Sequence, residues 1–136
     1  SERSRALNKG RSSFVICQQY FYDGLTALAV ARQSRKRKHV AVARKSLARL
    51  RKLSQFCPQN CKNKVLLMEA ELAAFKGKMG EAIEKYDKSI SFAAEQDLLH
   101  EEALANERAM KSLIRHGNQI VADPYLKRAV FLYKRW

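Results

Sequence analysis

Six stretches of this sequence place apolar residues three and four positions apart, so each, wound as a helix, has one apolar stripe that it cannot bury alone. The first spans 14–33, with Phe14, Cys17, Phe21, Leu25, Leu28 and Ala29; Gly24 inside it weakens the helix slightly. The second spans 40–56, with Val40, Ala43, Leu47, Leu50 and Leu53, and Pro58 closes it because proline disfavours helical geometry in the residue before it. Asn60 is placed to cap a third helix reaching 76, striped by Leu66, Leu67, Ala70, Ala73 and Ala74. After the turn Gly77-Lys78-Met79-Gly80, a fourth helix over 81–96 carries Ala82, Ile83, Tyr86, Ile90 and Ala93. Asp97 is placed to cap a fifth, with Leu99, Ala103, Met110, Leu113 and Ile114, and Gly117 stands where a helix ends. Asp123-Pro124 reads as cap and first-turn proline of a sixth, with Tyr125, Ala129, Leu132, Tyr133 and Trp136. Short connections imply antiparallel neighbours. The expectation is an all-α chain of about six helices: a basic linker over 1–13, then a single helical domain over 14–136, cut from a longer polypeptide.

Composition agrees and narrows the classes. With 5 Gly and 2 Pro in 136 residues, the chain is too poor in turn residues for an all-β fold. The longest apolar run, 14–31, is interrupted by Gln18, Gln19 and Asp23, so membrane insertion is not expected, and the first residues do not fit a secretory signal. Cys17, Cys57 and Cys61 are an odd number and suggest no disulfide framework, which suits a reducing, cytoplasmic setting. Cys57 and Cys61 lack the second close pair of ligands that zinc needs, since His39, His100 and His116 are scattered, so no metal is expected.

No catalytic or cofactor-binding residues emerge either. There is no glycine-rich phosphate loop, and no Ser, His and Asp set can be argued from spacing. His100 beside Glu101 and Glu102 reads as a solvated helix start rather than acid–base machinery. Tyr20, Phe21 and Tyr22, near arginines, could stack bases, but their helical spacing favours core.

Charge is the feature that points to a partner. The net charge is +14, and residues 1–64 carry all of the excess, with 16 Lys and Arg against Glu2 and Asp23; residues 65–136 hold 11 basic and 11 acidic side chains. The candidate anionic-partner surface is Arg35, Lys36, Arg37, Lys38, Arg44, Lys45, Arg49, Arg51 and Lys52. A solvated face, an acidic protein partner, nucleic acid and an anionic membrane surface all remain open for it, although a solvated face usually mixes signs.

The run from Gly77 through Ala82, Tyr86 and Ser89 to Ile90 resembles the tetratricopeptide signature, with Gly at the turn, Ala five residues on, an aromatic four later and a small residue three later. Ala70 and Ala74 supply the facing small positions. Ala129, Tyr133 and Trp136 echo Ala82, Tyr86 and Ser89 at an offset of 47 residues, with the extra length falling between Gly117 and Ala129. The resemblance implies a degenerate, right-handed solenoid of stacked helix pairs, packed through Ala70, Ala74, Gly77, Ala82, Tyr86, Ala129, Tyr133 and Trp136.

Over roughly 56–136 the chain also resembles the helical segment of large multidomain signalling ATPases. The residues concerned are Cys57-Pro58-Gln59-Asn60, Leu66 to Ala73, Tyr86 to Ile90, Glu101 to Glu107, and Tyr125 to Ala129 with Tyr133 and Trp136. In that family the segment follows a protein-kinase-like and an AAA-type ATPase domain and precedes a GAF sensor and an output domain. Asp123-Pro124 departs from its pattern. The resemblance implies a non-catalytic connector whose partners are neighbouring domains of its own polypeptide or another protein. The alternative is a nucleic-acid binder using the basic half.

Overall fold

The computed structural model describes the backbone of residues 2–136 and the side chains of 13–59 and 61–136. The described residues form six helices: α1 Glu2–Ser34, α2 Arg37–Phe56, α3 Pro58–Phe75, α4 Met79–Glu95, α5 Leu99–Arg115 and α6 Gln119–Arg135. There are two compact units, residues 1–68 and 69–136, and the division falls inside α3.

Several boundaries differ from those expected. α1 runs back to Glu2 through the stretch expected as a linker over 1–13. Once a packed helix exists, each added residue avoids the cost of nucleation, so an unstriped segment can prolong it. The side chains of 1–12 lie outside the described residues. Pro58 ends α2 and also opens α3 as its first residue, where its missing N–H costs nothing. Asn60 is therefore inside α3 rather than capping it. Asp97 does not cap α5; it sits in the left-handed region at φ 55° and terminates α4. The sixth helix starts at Gln119, where Asn118 accepts from the Val121 N–H at 3.4 Å, so Pro124 lies within α6. The carbonyl that Pro124 deprives of a partner belongs to Ile120, which is 87% exposed, and water can serve it there.

In the first unit, α1 and α2 pack against each other. Cys17, Phe21, Leu28 and Ala31 of α1 and Ala43, Leu47 and Leu50 of α2 are buried. Gly24 faces both α2 and α3. A Cβ there would lie 2.6 Å from Met68 Cε on α3 and 3.3 Å from Ser46 Cβ on α2. The glycine that weakens the helix locally thus leaves room for Met68 and Ser46, which a side chain at this position would displace. Cys17 and Cys61 meet as a disulfide with Cα atoms 5.8 Å apart, which corrects the expectation of unpaired thiols. The two lie 44 residues apart, and only the approach of α1 to α3 brings them together. The compartment inferred from an odd cysteine count loses its basis. Cys57 stays free, and its thiol donates to Ser13 Oγ at 3.3 Å.

In the second unit, α4, α5 and α6 have 17 residues each and begin twenty residues apart. Three equivalent turns make this period. Lys78 N–H bonds to Ala73 O and Gly77 N–H to Ala74 O; Leu98 and Asp97 pair likewise with Ala93 and Ala94, and Asn118 and Gly117 with Leu113 and Ile114. This is the Schellman arrangement, with its left-handed residue supplied by Gly77, Asp97 and Gly117. Three-residue connections set α4 against α5 and α5 against α6, antiparallel.

The same geometry reinterprets the 47-residue echo. Ala82 is the fourth residue of α4 and Ala122 the fourth of α6, and both are buried. Ala129 lies seven residues deeper, on the same face, because a helix returns to nearly the same orientation every two turns. No insertion separates the repeats.

Polar bonds brace these helices. Arg108 on α5 grips Glu71 on α3 with both ends of its guanidinium, at 2.7 and 3.1 Å. The Tyr86 hydroxyl on α4 meets Ser112 Oγ on α5 at 2.7 Å. Tyr125 on α6 donates to Asp87 on α4 at 2.7 Å, and Tyr133 to Glu107 on α5 at 2.9 Å. Glu102 on α5 accepts from Arg128 on α6 at 3.2 Å.

Candidate anionic-partner surface

All nine cations expected to form the surface are exposed. Arg35 and Lys36 occupy the junction, and the other seven stand on α2. At about 100° per residue, the α2 cations share the half of the helix opposite Ala43, Ser46, Leu47 and Leu50, which face the core. The amphipathic pattern forces this separation: the stripe that buries against α1 fixes which way every cation points. The sequence has no Asp or Glu between 24 and 64 to neutralise them from α2 or its flanks.

The start of α2 concentrates the charge. Lys36 is its N-cap residue and makes no side-chain capping bond, and the first turn contains no acid. Arg37 and Lys38 thus stand at the positive end of the helix dipole, where a cation is disfavoured and an anion stabilised. Arg35 holds a left-handed conformation at φ 56°, uncommon for a side chain of its size. Arg49 lies over the Tyr20 ring at 5.6 Å.

The aromatic run beside this surface is divided. Phe21 is fully buried, with Lys64 over its ring at 4.9 Å, while Tyr22 is 47% exposed. It offers no row of faces for bases to stack on.

Of the residues expected to pack the repeats, Ala70, Ala74, Ala82, Tyr86 and Ala129 are buried and Gly77 makes the turn at φ 79°. Tyr133 is half-buried. Trp136 follows the last residue of α6 and is 74% exposed, with one ring face against His100 at 4.5 Å. Glu101 and Glu102 are not a solvated helix start, being 8% and 7% exposed; α5 is buried on all sides from Glu101 to Asn106. Nothing local in the sequence signals that burial, which comes from neighbours on both faces. Burial pushes the Tyr86 hydroxyl well above its ordinary range, and the nearby Glu71 carboxylate raises it further. Burial would lower the ionisation of Arg108, yet its bonds to Glu71 and the charge of that carboxylate raise it above the ordinary value.

A second surface feature is not apparent from the sequence. Glu102, Arg128, Phe131 and Arg135 line a shallow cleft of about 180 Å³, with both guanidinium groups 5.2 Å from the Phe131 ring. The arginines are seven residues apart on α6, a spacing that gains meaning once the helix start is known.

No family model, curated protein or solved structure matches the chain.

Among the described residues no helix is long and apolar enough to cross a membrane, and no group of three or more His, Cys, Asp or Glu side chains could hold a metal ion.

Proposed function

We propose that this chain is a non-catalytic helical-repeat connector that holds neighbouring domains of its own polypeptide, or a partner protein, in fixed relation. The observation that carries the reading is where the polar side chains go. Glu71, Arg108, Tyr86 and Ser112, all buried or nearly so, are consumed in bonds between helices. Such groups cost stability when left unsatisfied and lend rigidity when paired across elements. The recurring 17-residue helices and matched turns favour a repeat of the tetratricopeptide kind, in which stacked helices present surface rather than a pocket. The resemblance to the helical segment of multidomain signalling ATPases supports the same role, between an ATPase domain and a sensor domain.

Two measurements test this. Cross-linking mass spectrometry on the intact polypeptide that carries residues 1–136 should link lysines such as Lys45, Lys52 and Lys127 to residues outside the segment. Links confined within 1–136 would count against a connector. Assays of the purified chain for nucleotide hydrolysis and phosphotransfer should give no turnover, and turnover abolished by substituting one of its own residues would overturn the proposal.

The exposure of all nine cations favours one other reading, a nucleic-acid binder. Its signature would be an affinity that falls with salt at a log–log slope of about −0.7 to −0.9 per phosphate contact.

A further inference from the structure

The cations of α2 are not scattered over its outer face. Arg37-Lys38, Arg44-Lys45 and Arg51-Lys52 recur every seventh residue along the helix. Seven residues advance the helix by about 10.5 Å and return a side chain to within about 20° of its starting direction. The arginines therefore form one row and the lysines a second, each about four turns long. Between them, at about 40° from the arginines, run Ala41 and Ala48, both exposed. The outer face is a floor of small side chains between two cationic rails. Val42, 47% exposed, and Phe56, 75% exposed, add apolar surface along its lysine side.

We infer that this face docks a second helix, from a protein partner or another domain, that carries carboxylates at heptad spacing. The inference rests on the connector reading and names the chemistry of what is held. Three observations converge on that occupant. Charge complementarity favours an anion, and the acid-free start of α2, with no side-chain cap, favours one most at Arg37 and Lys38. The seven-residue register matches another helix, because two helices in lasting contact meet every seven residues and accommodate the 20° drift by coiling slightly left-handed. The alanine floor permits the close approach that such packing needs, about 8 Å between axes. A nucleic acid would need the cations but neither the register nor the floor, since flexible Lys and Arg reach phosphates from any angle.

The test uses the purified chain and fluorescently labelled probes at about 0.15 M salt, where exposed charges more than about 8 Å apart are screened. One probe is a helical peptide of about three heptads with a Glu pair at every seventh residue and an Ala and Leu face between. A second has the same composition with the Glu pairs out of register. Single-stranded and duplex oligonucleotides complete the set. The in-register peptide should bind at least about tenfold more tightly than the scrambled peptide or either oligonucleotide. Ala48→Trp, an exposed substitution that fills the floor and leaves every charge in place, should weaken it by about tenfold, as should the charge reversal of Arg44 and Lys45 to Glu. Circular dichroism confirms that both variants fold. Equal affinity for the two peptides would overturn the inference in favour of unspecific polyelectrolyte attraction, and tighter oligonucleotide binding would overturn it in favour of nucleic acid. If neither peptide binds while cross-links from the segment to other domains persist, the acidic helix is refuted and the connector stands.

Discussion

Removing the guanidinium of Arg108 gives the sharpest test of how the second unit is held together. Glu71 has no exposed side-chain surface and Arg108 only 16%, and the two meet through bonds of 2.7 and 3.1 Å that tie α3 to α5. Arg108→Met keeps the aliphatic stem and its packing but strands a carboxylate in the interior. Breaking a buried pair in this way costs about 3–5 kcal/mol, because the surviving charge keeps its desolvation penalty and loses its compensation. Against a total stability of roughly 7–20 kcal/mol for a chain of this length, that is a large fraction. The midpoint of thermal unfolding should fall by roughly 10–20 °C. The complementary variant, Glu71→Leu combined with Arg108→Met, removes both charges and should recover most of the loss, since an apolar pair of similar volume is often as stable as the ion pair it replaces. Chemical denaturation followed by circular dichroism measures all three proteins. A loss below about 1 kcal/mol in Arg108→Met would place the pair among exposed ion pairs of little worth and refute its role in bracing α3 against α5. A double variant no more stable than the single would show that the packing around the stem, rather than the stranded charge, carries the effect.

Four further outcomes are expected. The raised pKa of Tyr86 means the folded chain holds its proton after the unfolded chain has released one near pH 10, so stability is intact below pH 10 and declines above it. In denaturation series from pH 9 to 11.5, Tyr86→Phe should lose about 1.4 kcal/mol per pH unit less than the wild type above pH 10, and parallel curves would refute the linkage. Gly80 lies within α4 with open space where a Cβ would stand, so Gly80→Ala should raise stability by up to about 1 kcal/mol; Gly77→Ala, forced to hold φ 79°, should lower it by about 1 kcal/mol or more, and a reversed order would refute the turn assignment. Asp97→Gly should stabilise by up to about 1 kcal/mol by relieving a left-handed side-chain position, visible as a shift in the denaturation midpoint. Reducing the Cys17–Cys61 bond, which closes a span of 44 residues, should cost about 3–4 kcal/mol in the same assay, and an intact mass showing three free thiols in the unreduced protein would refute the bond itself.

The helical class, the number of helices and the core stripe of α2 are legible in the sequence, because they depend only on the spacing of apolar residues within one segment. So is the outward direction of the cations, since the stripe of Ala43, Leu47 and Leu50 leaves them no other side. Turn chemistry is legible where a residue has one dominant use, as at Gly77 and Gly117, and misleading where it has two. Asp97 serves equally as an N-cap or in a left-handed turn, and Pro124 as a first-turn residue or one tolerated slightly deeper. What depends on which helices meet could not be read from spacing alone. The burial of Glu101 and Glu102, the crowding of Gly24 by Met68 and Ser46, the pairing of Cys17 with Cys61 and the grip of Arg108 on Glu71 each join positions at least 22 residues apart or require neighbours on two faces. Local periodicity reports which side of a helix turns inward, and only the packed structure decides what waits for it there.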